Sequence, residues 1–263
     1  MFKYGFESGL LDKPVRFGPQ FKKSSASVMR RHRAASGKKL FTAEEINWLL
    51  DGKGIKGRGG EAEHLAGASV QLRAMILLGV NCAFGNSDIA DLTNSVVDLK
   101  RGWVEFPRLK MGIERRCPLW PETVDALKAA IAARPRHKAK VDADCIYITK
   151  QGNRWVRVKV ASKDQGEGAE ARLTTSVMNS VGLEFDNVLK RLGINGRKGL
   201  GFYSLRHTFR TVADSTKDLP AIRMVMGHAD GSIDNAYREG IDDSRLEAVA
   251  AFVRKWLFGD RVK

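Results

Sequence analysis

The chain has 263 residues, 43% of them hydrophobic, enough for one large domain or one domain with a small neighbour. Lys and Arg total 45 against 30 Asp and Glu, a formal charge of +15, and a surplus of that size favours a polyanionic partner. No apolar run approaches the ~20 residues that cross a bilayer, and the start is too short and interrupted for a secretory signal.

Residues 1–40 differ from the rest. A short helical stretch, Phe2 to Leu11, gives way to Lys13-Pro14 and Gly18-Pro19. A basic run follows with Lys22, Lys23, Arg30, Arg31, Arg33, Lys38 and Lys39, interspersed with Ser24, Ser25 and Ser27. Pro, Gly and Ser at this density interrupt regular structure, so the segment reads as an extended basic linker, either a solvated tail or a strand along a phosphate backbone.

The folded part opens at Thr42. Glu45 three residues on completes a capping box ahead of the apolar face Ile46, Trp48, Leu49 and Leu50. A Gly/Lys-rich loop covers 52–60, and residues 69–80 read as an almost wholly apolar, buried helix. Asn86 or Ser87 is expected to cap a further helix through Leu92. Alternation over Trp103–Phe106, a turn at Met111-Gly112 and a return over Arg115–Leu119 predict a β-hairpin. Pro121 opens a helix to about Ala133, since Pro is tolerated in the first turn. Cys145–Thr149 and Trp155–Val160 read as two more short strands, and a polar loop over 161–172 leads into helices that run to the end. The predicted architecture is mostly α with a small antiparallel β-sheet. Cys82, Cys117 and Cys145 form no CxxC pair or His/Cys ligand spacing. They read as buried thiols in a reducing cytoplasm, with no metal site.

Three ordered elements carry chemistry. Leu205-Arg206-His207-Thr208 is followed by Gly227-His228 and then, nine residues beyond that histidine, by Tyr237. Their types and spacing resemble the tyrosine recombinase (phage integrase) family over about residues 40–258. The resemblance implies that family's catalytic-domain fold, the DNA breaking-rejoining fold. In the register that preserves the spacing to Gly227-His228, the family's catalytic arginine falls on Arg206 and its box histidine on Tyr203. His207 then reads as an ordinary helix residue, and the literal H-x-x-R at His207–Arg210 is out of register. The stretch Phe106–Leu119 is similar to the family's β-hairpin, whose lysine falls on Lys110.

The resemblance implies a division of labour. Tyr237 attacks a DNA phosphodiester to give a 3′-phosphotyrosine, and Arg206 and His228 neutralise charge on the transferring phosphate. Lys110 protonates the leaving 5′ oxygen, Tyr203 is an auxiliary hydrogen-bonding group, and no cofactor is needed. Double-stranded DNA is the expected partner, with no membrane, and Arg30, Arg31, Arg33, Lys38, Lys39, Arg108, Arg115 and Arg210 are the expected contacts. Residues 1–40 correspond to a remnant of the core-binding domain and its basic linker, and residues 41–263 to the catalytic domain. Self-association on DNA, as a tetrameric synapse, is expected of a cytoplasmic, nucleoid-associated protein. The C-terminal helix, Asp242 to Phe258, docks either on a neighbour or on its own core.

One departure stands out. The family's first catalytic arginine lies in a segment matched by Ala83–Leu92, and its position holds Gly85. Losing one preorganised donor costs ~10²–10³ in rate. The hairpin arginines Arg108, Arg115 and Arg116 are the groups able to supply a guanidinium in its stead. The leading reading is therefore a recombinase for integration, excision or mobile-element movement, of reduced activity. The alternatives are a catalytically degenerate DNA-binding protein with the same fold and a topoisomerase IB-like relaxing enzyme.

Overall fold

The computed structural model describes residues 2–16, 18, 24–35, 37–56, 62–108, 112–163, 172–194, 197–228 and 240–259. The side chains of Arg33 and of residues 160–163 and 172–174 lie outside that description as well. The chain divides into two compact units, Met1–Lys38 and Lys39–Lys263. In the first, helix α1 (Phe2–Glu7) is followed by helix α2 (Ala26–Ala35). Within the basic run expected to be extended, Ala26–Ala35 is thus helical. Ser25 Oγ accepts from the Val28 amide at 3.3 Å, satisfying one orphan donor of the first turn, and Ala, Met and Arg are strong helix formers.

The second unit begins with α3 (Ala43–Asp51), capped as the sequence predicts. Thr42 Oγ1 accepts from the Glu45 amide at 3.1 Å, and Glu45 Oε2 accepts from the Thr42 amide at 2.9 Å. Within the Gly/Lys-rich segment expected as a loop, Lys53–Lys56 is instead a strand, β1, paired antiparallel with β2 (Ala62–Leu65), Lys53 opposite Leu65. Helix α4 (Val70–Asn81) is capped by Ser69 and is buried along most of its length. It is hydrophobic all round because it is the central element of the core, with α6 (Pro121–Ala132) and α8 (Ser204–Ala213) packed against it. A Cβ on Gly79 would lie 2.8 Å from Leu205 Cδ1, so glycine is what lets α8 approach so closely.

Helix α5 (Asn86–Ala90) is shorter than predicted, and neither Asn86 nor Ser87 caps it. Gly85 is the N-cap, its amide donating to Asp88 Oδ2 at 2.7 Å. Strands β3 (Val97–Asp98), β4 (Trp103–Glu105) and β5 (Arg116–Pro118) form an antiparallel sheet, with Val104 opposite Cys117. Asn81, fully buried at the end of α4, ties this sheet to α6. Its amide donates to Pro118 O at 3.0 Å, and its carbonyl accepts from the Trp120 amide at 2.9 Å and from Thr123 Oγ1 at 3.0 Å.

The predicted strand at Cys145–Thr149 is reduced to a single bridge between Cys145 and Thr93. Strands β6 (Val156–Lys163) and β7 (Arg172–Asn179) make a long hairpin whose arms extend into the stretch expected as loop. Helices α7 (Ser180–Arg191), α8, α9 (Leu219–Met226) and α10 (Asp243–Phe258) complete the unit. Leu246, Val249, Val253 and Leu257 of α10 are buried, and Ala250 O accepts from Trp120 Nε1 at 2.9 Å. The C-terminal helix therefore docks on its own core. Cys82, Cys117 and Cys145 are free and buried. Among the described residues, no helix is long and apolar enough to cross a membrane.

Candidate active site

The site forms where the chain leaving α4 meets the N-terminal half of α8 and the end of α9. Immediately after α4 the backbone bends at Ala83, which has φ 55, a left-handed conformation uncommon for a residue with a side chain. The bend presents Ala83 O to Arg206. Arg206 is only 2% exposed, a charged group among the buried Ser204, Leu205, Thr208, Phe209 and Ala213 of its helix. It donates from Nη1 to Ala83 O at 2.5 Å, and from Nη2 to Met226 O at 2.6 Å and to His228 Nε2 at 2.7 Å. Burial draws its pKa below the ordinary guanidinium range. Two carbonyls that pin the guanidinium fix its orientation.

His228 reaches Arg206 because α9 ends at Gly227. That residue has φ +58, and a Cβ there would lie 3.2 Å from Arg108 Cβ and 3.4 Å from Arg115 Cδ. Glycine is needed both for the left-handed turn and for the close pass of the hairpin. An arginine N–H can only donate, so His228 Nε2 accepts and the ring proton belongs on Nδ1. Burial, followed by Arg206, Arg108, Arg210 and Arg223, pushes the imidazole pKa down to about 4. The site thus holds a neutral histidine with one N–H donor outside the Arg206 contact.

Tyr203 lies just before α8, 46% exposed, its ring edge-on to His207 at 5.4 Å. A Cβ on Gly85 would lie 3.2 Å from Tyr203 Cε2 and 3.3 Å from Cδ2. Gly85, Asn86, Ser87, Asp88, Asp91, Arg108 and Tyr203 line a cleft of about 220 Å³, and three of them, Tyr203, Arg108 and Asp88, act electrostatically on Arg206. A larger groove of about 600 Å³, bordered by Val97, Trp103 and Ile131, contains none of the residues of this cleft.

The expected DNA contacts separate by environment. Arg30, Arg31 and Lys38 are exposed in the first unit, and Lys39 is exposed at the start of the second. Arg115, expected as a contact with DNA, is buried. It donates from Nε to Phe106 O at 2.9 Å and from Nη2 to Asp88 Oδ1 at 3.1 Å, with its guanidinium 4.1 Å from the Phe84 ring centre. It therefore positions the hairpin and Asp88 from within. Arg210 donates to Asp214 Oδ1 at 2.6 Å on the helix surface. Arg33 lies in α2, its side chain outside the description, and Tyr237 and Lys110 lie outside the described residues.

Sequence reasoning did not find the bend at Ala83 or the buried role of Arg115. Nothing in the local sequence signals the first. The second had a faint cue: Arg115 falls between the two arms of a hairpin whose inward positions are apolar.

The chain matches the Phage integrase family over residues 60–242, more than half its length. No curated protein matches it. Among solved structures it is similar to the XerA recombinase at 17% identity and a TM-score of 0.46, over 70% of this chain and 58% of that one. A lambda integrase dimer bound to a COC′ core site is similar at 14% identity and a TM-score of 0.51, over 92% of this chain and 57% of that one. A lambda integrase fragment in the same kind of complex gives 13% identity and 0.52, over 92% and 71%. The chain thus spans little more than half the length of XerA and of the longer lambda integrase. At these identities the likeness shows the fold, and the two lambda structures carry it.

Proposed function

Because the chain belongs to the phage integrase family, we propose that it is a site-specific recombinase that cuts and rejoins duplex DNA through a 3′-phosphotyrosine on Tyr237. The observation that carries this reading is the Arg206–His228 pair. It is a guanidinium buried to 2% exposure, locked by two carbonyls, and bonded to a neutral imidazole. A merely structural arginine has no need of a strained backbone bend to hold it. Among the described residues three of its five N–H groups are used, which leaves Nε–H and one Nη1–H, on different edges of the fork, to donate to separate phosphate oxygens. His228 Nδ1–H supplies a second donor. Donors fixed in place before charge develops are the main way proteins stabilise such transition states.

The remaining roles follow the family pattern. The Tyr237 oxygen attacks phosphorus, the bond to the 5′ oxygen breaks, and the Lys110 ammonium gives that oxygen its proton. Tyr203 offers a hydroxyl to the phosphate. The energy of the broken bond is kept in the phosphotyrosine link, so rejoining needs no external energy source. Arg30, Arg31, Lys38 and Lys39 contact the DNA backbone, and synapsis brings further copies of the chain together. A DNA-binding protein without turnover is the second reading, and Gly85 is the observation that favours it.

Covalent trapping tests the two. The protein is mixed with nicked duplexes from a randomised library, and bound DNA is selected by gel shift. An SDS-resistant adduct that disappears in Tyr237→Phe supports the recombinase, whereas binding without any adduct supports the second reading.

A further inference from the structure

The proposed chemistry has a missing charge: the family pattern places an arginine where this chain has Gly85. Three hairpin arginines lie near enough in sequence to replace it, and the structure separates them. Arg115 is sealed in the core, with its side chain 1% exposed and bonded to Asp88 and Phe106 O. Arg116 is held by Glu105 and Asp243 and lies 4.3 Å over the Trp103 ring, outside the cleft. Arg108 alone of the three lines the cleft, with Gly85 and Tyr203. Its backbone is anchored by the Arg108 amide donating to Ile113 O at 2.8 Å, and its Cβ packs against Gly227, next to His228.

The opposite wall favours entry from the hairpin. With the Tyr203 ring 3.2 Å from where a Cβ on Gly85 would stand, a side chain at position 85 would crowd the ring. The two carboxylates bordering the cleft are already paired. Asp88 is bonded to Arg115 and to the Gly85 amide, and Asp91 Oδ1 accepts from Arg154 Nη1 at 2.9 Å. Among the described residues lining the cleft, no carboxylate is left unpaired to repel a phosphate.

We propose that Arg108 supplies the second guanidinium to the scissile phosphate, across the cleft that Gly85 and Tyr203 leave open. The proposal rests on the recombinase reading. Independent of the cleft, Arg108 also acts electrostatically on both Arg206 and His228, lowering the pKa of each. Arg115 and Arg154 then act as supports that keep the cleft's carboxylates from cancelling that charge.

The test uses the full chain and the nicked duplex selected by the wild-type protein, with the rate of SDS-resistant adduct as readout. Arg108→Ala is expected to lower that rate ~10²–10³-fold, while its gel-shift affinity stays within about tenfold. Added guanidinium ion should restore part of the Arg108→Ala rate. So should Gly85→Arg combined with Tyr203→His in the same background, since it returns the charge from the other wall. Arg108→Lys, which keeps charge without the fork, gives a second variant should the alanine protein fail to fold, and is expected to be impaired at least tenfold. An adduct from the wild type that forms equally fast with the Arg108 variants overturns the proposal and leaves the recombinase reading standing. A lost rate that neither guanidinium nor the double replacement restores makes Arg108 structural and also overturns it. No adduct from the wild type overturns the recombinase reading itself, and this inference with it.

Discussion

At His228, burial and four arginines act in the same direction, taking the imidazole from its ordinary pKa of 6.5 to about 4. Between those values the unfolded chain binds a proton that the folded chain refuses, so stability rises with pH across that window. His207, lowered by burial with Lys39 and Arg206, adds in the same sense. The melting temperature should therefore fall as pH drops from 6.5 towards 4, and His228→Gln should make that fall shallower in a thermal-shift series. An unchanged slope would mean that the ring is not held neutral. Gly227 offers a second prediction at this scale. Gly227→Ala places a side chain at φ +58 against the hairpin, which costs ~1–2 kcal/mol for the backbone alone. It should also displace His228. Urea unfolding should show the loss, and adduct formation should drop more than DNA binding does.

Among the elements, Asn81 is the side chain of α4 that bonds both to β5 and to the start of α6. Asn81→Leu leaves the Trp120 amide and Thr123 Oγ1 without that acceptor in the core. Each orphaned group costs ~1–3 kcal/mol, so a destabilisation of roughly 2–6 kcal/mol is expected in urea. Helix α10 belongs to the same account. With Leu246 1% exposed, Leu246→Ala should cost ~2–5 kcal/mol, and the midpoint should not depend on protein concentration. A concentration-dependent midpoint would instead indicate a helix seated on another copy. The elements readable from sequence were those with strong periodic or capping signals: α3 with its Thr42/Glu45 box, α4, α6 behind Pro121, and the β4–β5 hairpin. The β1–β2 pair was hidden because Lys53-Gly-Ile-Lys56 has one apolar residue in four and is held by its ladder rather than by burial. Helix α2 was hidden by its charge, although the cap at Ser25 was there to be read. Arg206 and His228 were singled out by the family resemblance, whereas their bond to each other and the burial of Arg115 needed three-dimensional packing to appear.

For the whole molecule, charge and partition into units set the expectations. A chain at +15 that binds DNA mainly through phosphates should lose affinity steeply with salt, log K falling linearly with log salt concentration. The unit Lys39–Lys263 contains every core residue from Phe41 to Leu257. Expressed alone, it should unfold cooperatively with nearly the midpoint of the full chain. Removal of Arg30, Arg31 and Lys38 should make its salt slope shallower, and filter binding over a salt series checks this. An unchanged slope would show that the first unit's basic residues do not touch the DNA.

The contact between Gly85 and the Tyr203 ring also constrains how such a sequence can arise. A side chain at position 85 and the ring in its present place would crowd each other, so one must give by a few tenths of an ångström for the other to stand. A substitution at either position is therefore felt at the other, and the two are expected to change together rather than singly.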